Sequence, residues 1–263
     1  MPYKIKIYAL LFLFSSGLTL NAQVTTDTIA VVSTDSIKMD PDVSKSQFGY
    51  KQLIIPGALI TYGLVGLNTE FLKDFNHNVR TQVRNNIDTR SSIDDFSRYA
   101  PAVSVYALNA FGVKGKHNFR DRTVIFVSAS IISNIAVFGL KSVTHVRRPD
   151  NSSDDSFPSG HTSAAFVGAE FLWQEYKDVS IWYGIAGYAV ASGTGIFRII
   201  NDRHWFTDVA EGAGIGILST KAAYWLHPYV NRVLFGKKEK KRTALLMPFY
   251  NGDQAGGSFV MQF

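Results

Sequence analysis

The stretch TVIFVSASIISNIAVFGLKSVTHVRRP, residues 123–149, decides the fold. Residues 123–140 carry no charged side chain, and a run of that length is too long for an ordinary strand but suits a buried or membrane-crossing helix. The charges then arrive together in Lys141, Arg147 and Arg148, and Pro149 stops the helix. The pattern repeats along the chain. Residues 53–69, 99–113 and 181–197 are also free of charge, 209–226 carries Glu211 and Lys221, and the segment after His161 carries Glu170. These runs predict an all-α bundle of about six core helices over 51–235.

Composition fits one such domain. The chain has 263 residues, 46% of them hydrophobic and 13% aromatic, enough for one sizeable core. Lys and Arg number 27 against 21 Asp and Glu, a net charge of +6 that falls in clusters and favours anionic partners, either phosphates or a membrane surface. Nucleic acid is set aside, because no binding motif for it occurs and the aromatics sit inside apolar runs. At the N-terminus, Lys4 and Lys6 precede an apolar run over 7–20, which predicts a secretory signal peptide over 1–22 with cleavage after Ala22. An uncleaved anchor is the alternative. Residues 23–50, rich in Thr, Ser and Asp, read as a flexible leader. With no cysteine, the chain can form neither a disulfide nor a lipid-modified N-terminal cysteine. The end, 236–263, holds a basic run and a tail whose Asn251, Gly252 and Asp253 mark the turn of a short β-hairpin.

Whether the helices cross a membrane is less directly written. Residues 123–140 meet the length requirement, 53–69 and 181–197 are marginal, and 99–113 is short. The mean hydropathy of +0.02 is low for a protein with many spans. Three basic stretches, 79–90, 114–122 and 237–242, would all favour the cytoplasmic side. If 99–113 does not cross, all three fall inside, and the helix ends at Lys141, His161 and His204 face outward, toward the periplasm; if it does cross, the parity flips and these ends face the cytoplasm, which fits the basic stretches badly. The competing expectation is a soluble periplasmic helical domain whose apolar runs are ordinary core.

Three clusters hold the candidate chemistry. In KSVTHVRRP, Lys141 and Arg148 close the longest apolar helix; in DDSFPSGHTSAAF (154–166), Ser159, Gly160 and His161 stand at a loop-to-helix start; in RIINDRHWFTDV, Arg198, His204 and Asp208 end one helix and open the next. Each cluster alone has an ordinary reading as a solvated helix end, since cations are favoured at C-termini and side chains at i and i+4 share a face. A short-loop bundle can, however, bring all three ends to one side. Two histidines, three cations and the donors of a helix start would then make a seat for a tetrahedral oxyanion.

In these residues the chain resembles the type 2 phosphatidic acid phosphatase family, whose wider superfamily includes bacterial nonspecific acid phosphatases and vanadium haloperoxidases. The family signature is a lysine six residues ahead of Arg-Pro, then Pro-Ser-Gly-His, then Ser-Arg followed at fixed spacing by His and Asp. Lys141, Arg148 and Pro149, then Pro158–His161, then Arg198, His204 and Asp208 match it in order and spacing. Phe197 departs from it, standing where the family usually has serine. The resemblance covers about 56–226. It implies a helical phosphatase needing neither metal nor other cofactor, acting on a lipid phosphate or another phosphomonoester.

The chemistry of the residues agrees. A phosphomonoester dianion repels nucleophiles, so its oxygens must be neutralised while an attacker is held in line. Lys141, Arg148 and Arg198 supply charge, and the Ser159 hydroxyl with the Gly160 N–H supplies donors. His204 is the expected nucleophile, with Asp208 holding its other ring nitrogen, and His161 the expected general acid, then base, at an unperturbed pKa near 6.5. Asp150, Asp154 and Asp155 read as a solvated loop beside the pocket, and His145 and Arg147 as peripheral. Trp205 could pack in the core or line a lipid-facing wall. The expected protein is thus an exported, envelope-associated lipid phosphatase. The rivals are a soluble acid phosphatase and, less favoured, a vanadate-dependent haloperoxidase.

Overall fold

A computed structural model describes residues 49–87, 90–236, 243–250 and 255–262. The expected signal peptide and all but the end of the leader lie outside these residues, as does the basic run 237–242. After a 3₁₀ turn, Tyr50–Leu53, the described chain forms α1 (Ile54–Gly66), α2 (Glu70–Asn86), α3 (Ile93–Ser97), α4 (Ala100–Ala110), α5 (Phe119–Thr144), α6 (Gly160–Tyr176), α7 (Ile181–Ile200) and α8 (Phe206–Phe235). A two-stranded antiparallel hairpin follows, β1 (Thr243–Tyr250) on β2 (Ala255–Gln262), with Thr243 opposite Gln262 and Tyr250 opposite Ala255. The tail hairpin expected from sequence is present, and its turn lies outside the described residues.

The fold is all-α, each apolar run becomes a helix, and a side chain sets the start of four of them. Asn118 caps α5 by accepting from the Asp121 N–H, Ser159 caps α6 through the Thr162 N–H, and Ser180 caps α7 through the Trp182 N–H. At the start of α8 the Asp208 carboxylate instead reaches back to the Trp205 N–H at 2.9 Å. His145, left-handed at φ 48°, turns the chain out of α5, and Pro149 keeps it out.

α6 is the central helix, packed by α4, α5, α7 and α8. Its contact with α8 is close because Gly212 and Gly216 face it: a Cβ at either would stand 2.5 Å from a carbonyl of α6, that of Ser159 or Ser163. The apolar core, with Val105, Ile125, Phe171, Leu172 and Tyr176, fills the half of the bundle around the end of α6. Polar side chains collect around its start. Tyr176 donates to the carbonyls of Val105 and Val113, and Glu175 accepts from Tyr224 and His117, so these groups define the end of the bundle far from Gly160.

Two sequence expectations change here. Residues 99–113 do run the length of the bundle, from Arg98 beside His161 to Val113 beside Tyr176. The basic stretch 79–90 is mostly helix, the end of α2, and it lies at the His161 end rather than the far end. The break after Gly66 bends the chain by 94°, so α2 turns across the bundle end. There Asn76 bonds Thr207 and Arg80 holds Asp202 through two bonds of 2.7 and 2.9 Å. The argument that sorted all three basic stretches away from the site therefore fails for this one.

Candidate active site

The helix ends at Lys141, His161, Arg198 and His204 converge on a single cavity of about 590 Å³. Arg148 and Gly160 also line it, so six of the eight sequence-derived residues form its wall. The other two stand behind it. Asp208 is 1% exposed, and one oxygen accepts from Ser156 Oγ at 2.5 Å and from the Trp205 N–H at 2.9 Å. Ser159 is fully buried, and its hydroxyl caps α6 at Thr162. The Gly160 N–H, at the first helical position, has no intrahelical acceptor and remains the donor on the wall.

His204 is 3% exposed, with Nδ1 at 3.5 Å from Asp208 Oδ2. That is ion-pair range without hydrogen-bond geometry, a separation typical of an unliganded catalytic pair. With Nδ1 turned to Asp208, Nε2 is left for the cavity. Burial lowers the His204 pKa, against the opposing pull of Asp208, so the ring is neutral near pH 7 and carries a lone pair. His161 is also displaced from the expected 6.5. Burial first, then the Arg198 charge, push it down to about 4, so in the empty site it too is neutral.

The cations are each held in place. Arg198, at the end of α7, pairs with Asp94 at 2.6 Å, and Asn201 donates to the other oxygen of Asp94. Arg148 pairs with Asp155 at 2.9 Å, so Asp155 orients a cavity residue and is more than a solvated loop acid. Lys141 donates to the carbonyl of Asp155. Asp150 and Asp154 pair with Arg203 and Arg147 at the surface. The Trp205 indole N–H donates to the Arg147 carbonyl and its ring meets His77 edge-on, which makes it part of the rim.

Sequence reasoning missed α3. Asp94 and Asp95 line the cavity with Arg90, Ser91 and Ser92, and Asp95 and Arg98 both contact His161. The paired acids of SSIDDFSRY were visible as a polar link before an apolar run, yet nothing in their spacing ties them to residues over sixty positions on. Asp94, Asp95 and His161 offer three ligand atoms within 4.8 Å of one another, a grouping that could hold a metal ion, but Arg198, Asn201 and His161 already occupy the carboxylates.

Fold and site together define a helical bundle with a cationic pocket holding two histidines at the ends of its helices. Residues 122–232 match the family model of the PAP2 superfamily. A lipid A 1-phosphatase from Porphyromonas gingivalis is 36% identical over 144 residues, 54% of this chain and 32% of that protein. The bacitracin transport permease protein BcrC of Bacillus licheniformis is 33% identical over 79 residues, 30% of this chain and 37% of that protein. The chain thus spans about a third of the length of the curated relatives it matches. Among solved structures, a transmembrane PAP2-type phosphatidylglycerolphosphate phosphatase from Bacillus subtilis aligns over 72% of this chain and 99% of its own, with a TM-score of 0.48 and 20% identity.

Proposed function

We propose that this protein is a lipid phosphatase that works through a phosphohistidine on His204, without a metal. The observation that carries the reading is the convergence of Lys141, Arg148, Arg198, His161 and His204 on one cavity. A phosphoryl group seated there would have its oxygens met by the three cations and the Gly160 N–H. His204 Nε2 attacks phosphorus, and Asp208 stabilises the cationic ring that results. His161 protonates the leaving oxygen and afterwards takes a proton from the water that cleaves the nitrogen–phosphorus bond. Because His161 is neutral in the empty site, its proton enters with the monoanion of the substrate.

The surface of α5 favours a lipid substrate and a membrane location over a soluble phosphatase. This 26-residue helix is long and apolar enough to cross a bilayer, and only 22% of its most apolar window is buried. Val127, Ile131, Ile135 and Phe138, spaced along one face, are all about half or more exposed. A soluble core helix would hide that stripe. The signal peptide expected over 1–22 favours export, and the site is proposed to open to the periplasm. The lipid A 1-phosphatase among its relatives points to the same substrate class.

The test is to incubate purified protein in detergent and chelator with lipid phosphates and water-soluble phosphomonoesters, with and without vanadate. Release from the lipids, persistence in chelator and loss with vanadate are expected, and His204→Ala should take up no label from a radiolabelled aryl phosphate. Activity that vanishes in chelator and returns with magnesium, or label trapped on His204→Ala, refutes the mechanism. Hydrolysis of soluble esters alone would favour the acid-phosphatase alternative.

A further inference from the structure

One nitrogen of His161 has two incompatible neighbours. Nε2 lies 2.9 Å from Asp95 Oδ1 and 3.0 Å from Arg98 Nη1. A guanidinium only donates and a carboxylate only accepts, so a protonated Nε2 bonds Asp95 and an unprotonated one bonds Arg98. Both partners come from one short element, three residues apart, and that element is clamped on either side. Asp94 is held by Arg198 and Asn201, and Ser97 meets Thr194 at 2.8 Å. The charged groups facing the ring are Asp95 and Arg98 from this side and Arg198 from α7.

We propose that Asp95 is a positioning residue that keeps the proton on Nε2 of His161, so that Nδ1 meets the leaving group and then the attacking water, with Arg98 as the competitor for the same nitrogen. The inference rests on the phosphatase reading. In the first step, Nδ1–H of the imidazolium passes its proton to the leaving oxygen as the P–O bond breaks and the Nε2 lone pair of His204 forms the N–P bond. Alcohol departs, and His161 is left neutral with its Nε2–H still on Asp95. In the second step water forms a P–O bond, its proton goes to Nδ1 of His161, and the N–P electrons return to His204. Only the Nε2–H tautomer has the Nδ1 lone pair that this step needs. If Arg98 captured Nε2, the proton would sit on Nδ1 and the water would have no base. The site thus has two histidine–carboxylate pairs, with Asp208 on the nucleophile and Asp95 on the acid and base, the same tautomer control that a carboxylate exerts in a serine protease triad. The bond to His161 holds the Asp95 carboxyl below its ordinary range, as expected for an ionised partner.

Asp95→Asn removes the carboxylate at a half-exposed position, where folding is not at stake. With p-nitrophenyl phosphate the variant should give a burst of nitrophenol followed by turnover slowed at least ten-fold more than the burst, with acid-labile phosphoenzyme accumulating. Asp95→Glu should restore steady turnover, and Arg98→Gln in the Asp95→Asn background should recover part of it. A second measurement needs no turnover: nitrogen-15 shifts of labelled histidine, with His161 assigned through His161→Asn, should report the Nε2–H tautomer in the native protein and Nδ1–H in Asp95→Asn. Equal slowing of burst and turnover without accumulated phosphoenzyme, or an unchanged tautomer, overturns the proposal. If the native protein hydrolyses no phosphomonoester, the phosphatase reading fails instead, and the tautomer measurement still decides whether Asp95 controls the ring.

Discussion

Gly212→Ala should slow catalysis more than it destabilises the fold. Gly212 lies in the second turn of α8, and a Cβ there would stand 2.5 Å from the Ser159 carbonyl and 3.3 Å from the Ser163 nitrogen. Ordinary carbon contacts begin well beyond 3 Å, so the start of α6 must move roughly 0.5–1 Å away from α8. His161 rides on the first turn of α6, while His204 and Asp208 stay with α8. The Ser159 N–H bond to the Asp208 carbonyl, 3.0 Å, stretches along the same line. A misplacement of about 1 Å between reacting groups lowers rates by up to about 10²-fold. Gly216→Ala is the matched control: its Cβ would also stand 2.5 Å from a carbonyl of α6, that of Ser163, but one turn farther from the cavity. Overpacking should cost each variant about 1–3 kcal/mol in thermal or denaturant unfolding. In kcat on an aryl phosphate, Gly212→Ala should lose roughly 10–100-fold and Gly216→Ala less than about 5-fold. Equal losses in the two variants, or native kcat in Gly212→Ala despite lowered stability, would refute the idea that this helix contact sets the spacing of the histidines.

The lowered pKa of His161, about 4, means that at pH 5–7 the free enzyme lacks the proton it must deliver, so kcat/KM should fall with rising pH as the substrate loses its second phosphate proton, near pH 6 for an ordinary phosphomonoester. A substrate of lower second pKa should shift that limb down by the same amount; a limb fixed across substrates refutes the assignment. Because the native chain has no cysteine, Ser92→Cys at the cavity mouth and Lys116→Cys at the far end each give a single thiol. In intact cells an impermeant maleimide should label the first and not the second. Equal labelling of both would remove the membrane-crossing reading, and labelling of Lys116→Cys alone would turn the site inward.

The legible part of this protein was the part that repeats physical rules over short distances. Charge-free runs became α1, α4, α5, α6, α7 and α8, and the serines and asparagine ahead of three of them became caps. The signature residues could be placed together because each stands at the end of such a run. What stayed hidden depends on long-range contact. Residues 70–86 offered no uninterrupted apolar run, so their helix was read as a basic stretch. Its position follows from bonds to Thr207 and Asp202, over a hundred residues on. The role of α3 was invisible for the same reason.

The pairing of charges explains how such a site can exist empty. Several cations gathered in a half-closed cavity repel one another and lose hydration, a penalty that grows with burial. Here the guanidinium of Arg198 faces Asp94 and that of Arg148 faces Asp155, while the rim cations Arg203 and Arg80 face Asp150 and Asp202. Lys141 differs, since its partners are the carbonyls of Asp155 and Ser156 rather than a carboxylate side chain. Neutral carbonyls satisfy its donors without cancelling its charge. Of the cations that line the cavity on the signature positions, Lys141 therefore keeps the most charge for an incoming anion, while Arg148 and Arg198 must be shared with acids already present. The carboxylates keep the empty cavity stable and correctly shaped. They also set a threshold, because a ligand competes with them for the arginines only if it meets several cations at once, and a tetrahedral phosphate, whose oxygens point in different directions, does so where a planar carboxylate does not.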